Sequence, residues 1–368
     1  MKILVTGSKG FIGKNLISRL SEIENLTILS YEKEMGQDEL HSKISDSDII
    51  YHLAGKNRTD EINDFKKVNT DLTKSICDLA SEVASPPLII FTSSIQAEID
   101  SAYGKSKLEA EKYILEYSRR PRCNAIIYRL TNVFGKWCKP NYNSVIATFC
   151  NNLSKDLPIE LHDPDKELDL IYIDDVIEEL LSNLRQIDSD IYRKVEPTYT
   201  ITLKEIANKL IGFKDSRKKL EIGYVGTGID RALYATYISY LEPEQFNYKV
   251  PSHSDDRGTF VEVLKTQDSG QFSFFTAYPG ITRGGHYHHT KNEKFLVLQG
   301  KALFRFKNLI SGTYKEIVTS EQTPEIVDTI PGWTHDITNI GESKLIVMLW
   351  ANEIFNQEKP DTYSLEIT

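Results

Sequence analysis

The sequence predicts an α/β domain built on a doubly wound parallel sheet, followed by an all-β barrel domain, with the boundary near residue 245. Three observations carry this. The chain opens "KILVTGSKGFIGKNLISRL", which is a β-rich run, a glycine turn and an amphipathic helix. Further β-rich runs then alternate with helical stretches, the pattern of a parallel sheet covered on both faces. After "YISYLEPEQFNY" the helical periodicity gives way to short β-rich runs separated by turns. Residues 1–244 and 245–368 are therefore expected as two domains, since 368 residues exceed what one small core organises.

Composition narrows the classes of partner. The 53 acidic and 44 basic side chains leave a formal charge of −9, which gives no bulk attraction to nucleic acid or an anionic membrane. The N-terminus meets glycine after only a few apolar residues and does not read as a signal peptide. Apolar runs such as "LIVMLW" are strand-sized, far short of a membrane span. Four cysteines without CxxC pairing suit reduced thiols, so a cytoplasmic location is expected.

Taken in order, the glycine turn comes first. Gly7, Gly10 and Gly13 supply the tight turn, close backbone approach and close helix packing that a pyrophosphate site needs, with Lys9, Phe11 and Ile12 between them. The later runs "LTILS", "DIIYHLAG", "PLIIFTSS" and "NAIIYRL" read as strands. A ligand site is expected beyond their C-terminal ends, where Leu53, Ala54 and Gly55 fall. At the end of the second strand, Ser30 stands where an acid would bind the ribose 2′-hydroxyl of NAD. Ser30 and Lys33 suit a 2′-phosphate instead, so NADPH is the expected cofactor, with Glu32 as the alternative if the strand ends later.

Tyr103 and Lys107 are four apart at the start of a helix and share a face. A nearby ammonium favours the phenolate and is expected to lower the Tyr103 pKa toward a useful acid–base range. Ser94, or less favourably Ser93, ends the preceding strand and offers a hydroxyl to a substrate carbonyl. Alone, Tyr-x-x-x-Lys would read as a helix-surface pair; behind a serine-ended strand in a chain opening "TGSKGFIG" it reads as an active site.

In the last third, "GGHYHHTKNEKFLVLQG" puts His286 and His288 at i and i+2, on one face of a strand. Glu293 and His335, on a later strand, complete a plausible ligand set. The competing readings are histidines that only hydrogen-bond on a barrel rim, or one acting as a metal-free base. His289 is expected on the opposite face.

These residues resemble known families. "TGSKGFIG", "HLAG", "YGKSK", "YRLTNVFG" and "IYIDDV" match the motifs of the extended short-chain dehydrogenase/reductases over residues 1 to about 240, a Rossmann-type fold. The resemblance implies Tyr103 as proton donor, Lys107 as ribose ligand and tuner of Tyr103, and Ser94 as polariser of the carbonyl. It also places Arg129, Asn132, Lys136 and Lys139 where such reductases bind the nucleotide-sugar, with Trp137 and Tyr142 equally suited to core packing. From Gly280 to Gly300 the chain fits the first cupin motif, while "IPGWTHDITN" fits the second only in part, since Ile330 holds the usual proline position. The cupin resemblance implies His286, His288, Glu293 and His335 as metal ligands, zinc being preferred to iron or manganese.

Over its full length the chain is similar to bifunctional capsule-precursor enzymes of the CapF type, most closely in "FGKWCKPNYNSVIATFC", "HHTKNEKFLV" and "KPDTYSLE". That resemblance implies a UDP-linked 2-acetamido-2,6-dideoxy-4-keto hexose, inverted at C3 by the cupin domain and then reduced at C4 with NADPH. The product would be UDP-2-acetamido-2,6-dideoxy-L-talose, made for surface polysaccharide, and a homodimer is the expected assembly. Tyr287 and His289 are nominated as the C3 base. Two competitors stand beside this reading. One is a single-function reductase with a non-catalytic cupin. The other is a non-enzymatic NADP-binding regulator, against which the intact Ser94, Tyr103 and Lys107 set argues.

Overall fold

Short apolar strands buried on both faces organise the first compact unit, Met1–Val145 with Leu168–Thr200. The computed structural model describes every residue except 60, 186–189, 251, 256–257, 262–263, 267–269, 354–355 and 368. Among the described residues, six parallel strands lie in the order Thr27–Tyr31, Lys2–Thr6, Ile49–His52, Leu88–Ser94, Ala125–Leu130 and Tyr192–Arg193. Ile3, Leu4, Val5, Ile50, Ile89 and Ile90 have no exposed surface, as a sheet covered by helices requires. Ile76 of the helix Leu72–Glu82, and Ala110, Ile114 and Tyr117 of the helix Ala102–Ser118, pack on one face of it. The strand order reverses direction between Lys2–Thr6 and Ile49–His52, which opens a crevice at their C-terminal ends. The expected doubly wound sheet is present.

The helix Ala102–Ser118 starts one residue before Tyr103 because Ser101 caps it, its hydroxyl accepting from the Gly104 N–H at 2.9 Å. Gly104 lacks the Cβ that would lie 2.3 Å from the Gln96 carbonyl oxygen, so the helix start packs closely on the turn after Ser94.

The second unit comprises Ile146–Glu167 and Ile201–Thr368, so the boundary expected near residue 245 falls inside it. The reason lies in side chains that the change of periodicity does not report. Arg217 pairs with Asp328 at 3.1 Å and also donates to the Gln245 carbonyl. Phe246 packs edge-on against Trp333 and Phe306, at 4.8 and 5.6 Å between ring centres. Asn247–Lys249 pairs with Glu325–Asp328, and the Gln245 side chain donates to the Ser154 carbonyl at 2.6 Å.

The β portion of this unit is built mainly on two five-stranded antiparallel sheets, beside two small strand pairs. Among the described residues, one has the order Asn247–Lys249, Glu325–Asp328, Glu293–Gln299, Leu345–Ala351, Gln271–Ala277. The other runs Tyr314–Ser320, Lys301–Asn308, Trp333–Asn339, Thr282–Tyr287, Tyr363–Ser364. Phe295, Val297, Phe304, Phe306, Ile337 and Val347 are buried and form apolar core. A bulge interrupts the pairing of Thr282–Tyr287 with Trp333–Asn339 between Gly284 and His286. Gly284 and Gly285, at φ 99° and 73°, supply the backbone it needs. The bulge sets His286 directly opposite His335.

Candidate active site and metal centre

At the crevice, the glycine turn rests on the segment after the third strand. Gly7 has φ 69°, and a Cβ there would come within 2.9 Å of the Ala54 backbone. A Cβ on Gly13 would lie 2.2 Å from the Gly7 carbonyl oxygen, so the helix Phe11–Leu20 can begin only where glycine allows it. Lys9, Gly10, Phe11 and Ile12 thus lie in the turn and first residues of that helix, Leu53 and Ala54 face the turn, and Gly55 faces Asn69 and Lys107. The second strand runs to Tyr31, one residue beyond Ser30, and Ser30 lies inside it opposite Val5. Glu32 is therefore the first residue past the strand. Its carboxylate accepts from the Ser8 hydroxyl and from the Lys9 N–H at 3.1 Å, while Lys33 is exposed. The expectation that Ser30 ends the strand is corrected.

Lys107 is buried, its ammonium donating to the Thr92 carbonyl at 2.9 Å and lying 4.9 Å from the Phe91 ring centre. Burial pushes its pKa down to about 8, against the pull of Glu111. Its Nζ would be 3.2 Å from a Cβ placed on Gly55. Tyr103 packs on Phe65 at 5.8 Å between ring centres. Burial raises the phenol above its ordinary value and the Ser94 hydroxyl only partly offsets this, so the expected lowering of Tyr103 is not found. Ser94 accepts from the Gln96 N–H at 3.2 Å. Ser93 instead donates to the buried Glu111 carboxylate at 2.5 Å, which leaves Ser94 as the hydroxyl beside the phenol. Asn69 has no signal in the reading of the sequence. It sits on a π-helical turn, Lys66–Asp71, accepts from the Lys56 N–H at 2.8 Å and donates to the Ser106 hydroxyl at 2.9 Å.

The polar residues expected to meet the nucleotide-sugar have internal partners. Arg129 makes a two-pronged pair with Glu111, at 2.9 and 2.7 Å, and also reaches Glu98. Buried Lys136 pairs with Asp174 at 2.6 Å, and Asn132 donates to the Asp169 carbonyl at 3.1 Å. Two of the four also hold an ammonium over an aromatic ring, Lys136 5.4 Å from the centre of Trp137 and Lys139 5.6 Å from the centre of Tyr142. Arg58, unmarked in the sequence, donates to the Tyr142 carbonyl at 3.0 Å, and the Tyr142 hydroxyl donates back to the Arg58 carbonyl at 3.2 Å. Trp137 holds a left-handed backbone, φ 67°, between these anchors. Burial pushes the Cys138 thiol up to about 11, the opposite of an activated nucleophile.

In the β portion, His286, His288, Glu293 and His335 converge, each offering one ligand atom within 4.8 Å of the others. His288 Nε2 is 3.1 Å and His335 Nε2 3.7 Å from the same Glu293 oxygen. The ring centres of His286 lie 5.0 and 4.7 Å from those of His288 and His335. Burial drives the His286 pKa down to about 3 and also lowers His335. Burial opposes ionisation of Glu293, yet His288 and His335 hold its carboxyl well below the usual range. Neutral imidazoles around a carboxylate are the donor set a borderline divalent cation takes. Two further observations fit a cation here. His335 Nε2 is buried with no hydrogen-bond partner. His288 Nδ1 faces the Asp361 carbonyl oxygen at 2.6 Å, so it carries the proton, and the Nε2 lone pair then points at a carboxylate oxygen. A positive charge belongs between those two acceptors. His289 packs instead against Tyr287 and Tyr363, at 5.5 and 5.1 Å between ring centres.

The model of the NAD dependent epimerase/dehydratase family matches residues 3–195, and that of the polysaccharide biosynthesis C-terminal domain matches residues 253–363. A UDP-2-acetamido-2,6-beta-L-arabino-hexul-4-ose reductase of Pseudomonas aeruginosa is 48% identical over 368 residues, covering 100% of this chain and 99% of its own. The capsular polysaccharide assembling protein CapF from Staphylococcus aureus is 39% identical with a TM-score of 0.68, and the match covers 100% of both chains. UDP-glucuronic acid 4-epimerase from Bacillus cereus, solved with NAD, shares the fold over 60% of this chain and 84% of its own, at 18% identity and a TM-score of 0.52. With its nucleotide crevice and Ser–Tyr–Lys group ahead of a histidine-lined β portion, the chain belongs to the NAD dependent epimerase/dehydratase family, in the two-part form of the CapF-type capsular polysaccharide precursor enzymes.

Proposed function

We propose that the protein inverts C3 of a UDP-2-acetamido-2,6-dideoxy-hexos-4-ulose in its cupin-type β domain and then reduces the C4 ketone in its nucleotide-binding domain. The product is UDP-2-acetamido-2,6-dideoxy-L-talose, for capsule or O-antigen synthesis. The observation that carries this is the presence in one chain of two unrelated sets of chemistry, Ser94 with Tyr103 and Lys107, and the four converging His and Glu side chains. The sugar class rests on the Pseudomonas reductase, whose name gives a UDP-linked hexul-4-ose.

In the reduction, NADPH supplies the hydride that C4 receives. Ser94 donates a hydrogen bond to the ketone oxygen, Tyr103 gives that oxygen its proton, and Lys107 keeps a positive charge beside the phenol and the cofactor ribose. Burial keeps Tyr103 protonated before hydride arrives, which suits an acid in the reductive direction. For the epimerisation, His286, His288, Glu293 and His335 would hold a divalent cation, zinc being the leading choice, which would supply the polarisation that makes the C3 proton acidic. Tyr287 and His289 are the nominated bases. The order is fixed by chemistry, since removing the ketone also removes the acidity at C3.

The test is product stereochemistry. Incubation with a UDP-linked 4-keto sugar and NADPH in heavy water should give deuterium at C3 and a new hydroxyl at C4 by NMR. Reduction with C3 untouched would leave a single-function reductase with a non-catalytic β domain. Cofactor choice has a second reading, because Glu32 rather than Ser30 follows the strand and touches the glycine turn. With Ser30 inside the strand, Lys33 is what supports NADPH, and an acid past the strand end supports NADH. Steady-state kinetics should show NADPH preferred, and equal or reversed preference would assign the ribose to Glu32.

A further inference from the structure

We propose that Asp361 is the positioning residue of the metal centre, one residue that sets both the imidazole tautomer of His288 and the turn that carries His288 to Glu293. Its backbone carbonyl oxygen lies 2.6 Å from His288 Nδ1. A carbonyl can only accept, so the ring is held with its proton on Nδ1 and its lone pair on Nε2, aimed at the ligand cluster. The carboxylate of the same residue binds the next three residues in succession. Oδ1 accepts from the His289 N–H at 3.0 Å, and Oδ2 from the Thr290 N–H at 2.8 Å, the Thr290 hydroxyl at 3.0 Å and the Lys291 N–H at 2.7 Å. Lys291 answers from the other side, its ammonium donating to the Thr362 hydroxyl at 2.8 Å.

The turn 289–291 is the short covalent path from His288 to Glu293, so whatever fixes it bears on their separation. Asp361 adopts φ 39°, which lets side chain and carbonyl of one residue face the same turn. Aspartate is among the few residues that tolerate this backbone. The following strand, Tyr363–Ser364, pairs with Thr282–Tyr287 and so ties the Asp361 segment to the strand that carries His286. Asp361 thus touches both the ring and the turn through hydrogen bonds.

The inference rests on the reading that the cluster holds a divalent cation, and the experiment separates the two. Full-length wild type, Asp361→Asn and Asp361→Gly are stripped with a chelator and titrated with zinc against a chromophoric competitor. Cobalt is used in parallel for its visible spectrum. Asparagine keeps the size and the left-handed backbone but loses the second anionic oxygen, and glycine keeps the backbone and the carbonyl alone. Both variants should bind zinc about 10–100-fold more weakly, the range seen when outer partners of ligands are removed. Their cobalt spectra should shift, with the unfolding midpoint of the metal-free protein and NADPH binding unchanged. Wild-type zinc affinity in both variants overturns the proposal. So does a metal-free variant that has lost its C-terminal unfolding transition, since Asp361 then supports the fold and not the site. A wild type that binds neither zinc nor cobalt sinks the metal reading itself.

Discussion

Lys107 keeps its ammonium on the Thr92 carbonyl in a setting that pulls its pKa down to about 8, while Tyr103 is pushed above its ordinary value. Both groups act in their protonated forms, so kcat/KM for ketone reduction should be flat at neutral pH and fall as pH rises through about 8, when Lys107 loses its charge. A profile still flat at pH ~10, the ordinary tyrosine value, would contradict that role. Replacing Tyr103 with Phe should lower NADPH oxidation by about 10²–10⁴-fold, the usual worth of a positioned acid. Cofactor binding, measured by fluorescence titration, should be nearly intact. At this scale spacing carried the signal: Tyr103 and Lys107 fall four apart in the helix Ala102–Ser118, and His286 and His288 two apart, although the strand ends at Tyr287 and leaves His288 just past it. The sequence was silent where partners are distant in the chain. Arg129 reads as a free cation until Glu111 is seen beside it, and Asp361 lies 72 residues from the His289 N–H it accepts from.

Among the elements, the alternation of strands and helices foretold the parallel sheet, and the glycine turn foretold where its crevice opens. The second strand ran one residue further than expected because propensity cannot place strand ends, and that residue puts Glu32, not Lys33 or Ser30, first past the strand. The helices Leu203–Lys219 and Gly228–Ile238 look like a continuation of the α/β pattern, yet they belong with the β portion. Their attachment is electrostatic as well as apolar. Lys294 and Asp328 pair at 2.6 Å with side chains only 3% and 4% exposed, and Arg217 joins from the helix. Burial works against the Lys294 charge, but Asp328 more than restores it and raises the pKa. Asp328→Ala leaves that charge buried without its counter-ion and should cost about 3–5 kcal/mol. Denaturant unfolding followed in the C-terminal transition checks this, and a loss within experimental error would make the pair incidental.

For the whole molecule, the two sets of chemistry lie in different compact units, so they should separate genetically. A double replacement of His286 and His288 should remove the metal and stop deuterium uptake at C3. The same variant should still oxidise NADPH when given a 4-ketone already bearing the product's C3 configuration. Metal analysis and unfolding of the variant come first, because a bound ion can support the fold as well as the chemistry. A folded, metal-free variant that exchanges C3 at the wild-type rate would refute the metal-dependent epimerase.

Neither compact unit is continuous in the chain: Ile146–Glu167 belongs to the second unit, although Leu168–Thr200 returns to the first. Synthesis proceeds from the N-terminus, and domains generally fold as they emerge. The first unit can close once residue 200 has left the ribosome, but the helix Val145–Ser154 is made long before its partner Gln245 exists, and Asp156 just beyond it before Lys214. Its apolar side chains, Ile146, Phe149 and Leu153, must then wait through about a quarter of the translation time before Gln245 is made. For the same reason no single cut in the gene releases the histidine-lined unit whole, and a fragment beginning at residue 245 would lack the Arg217 that meets Asp328.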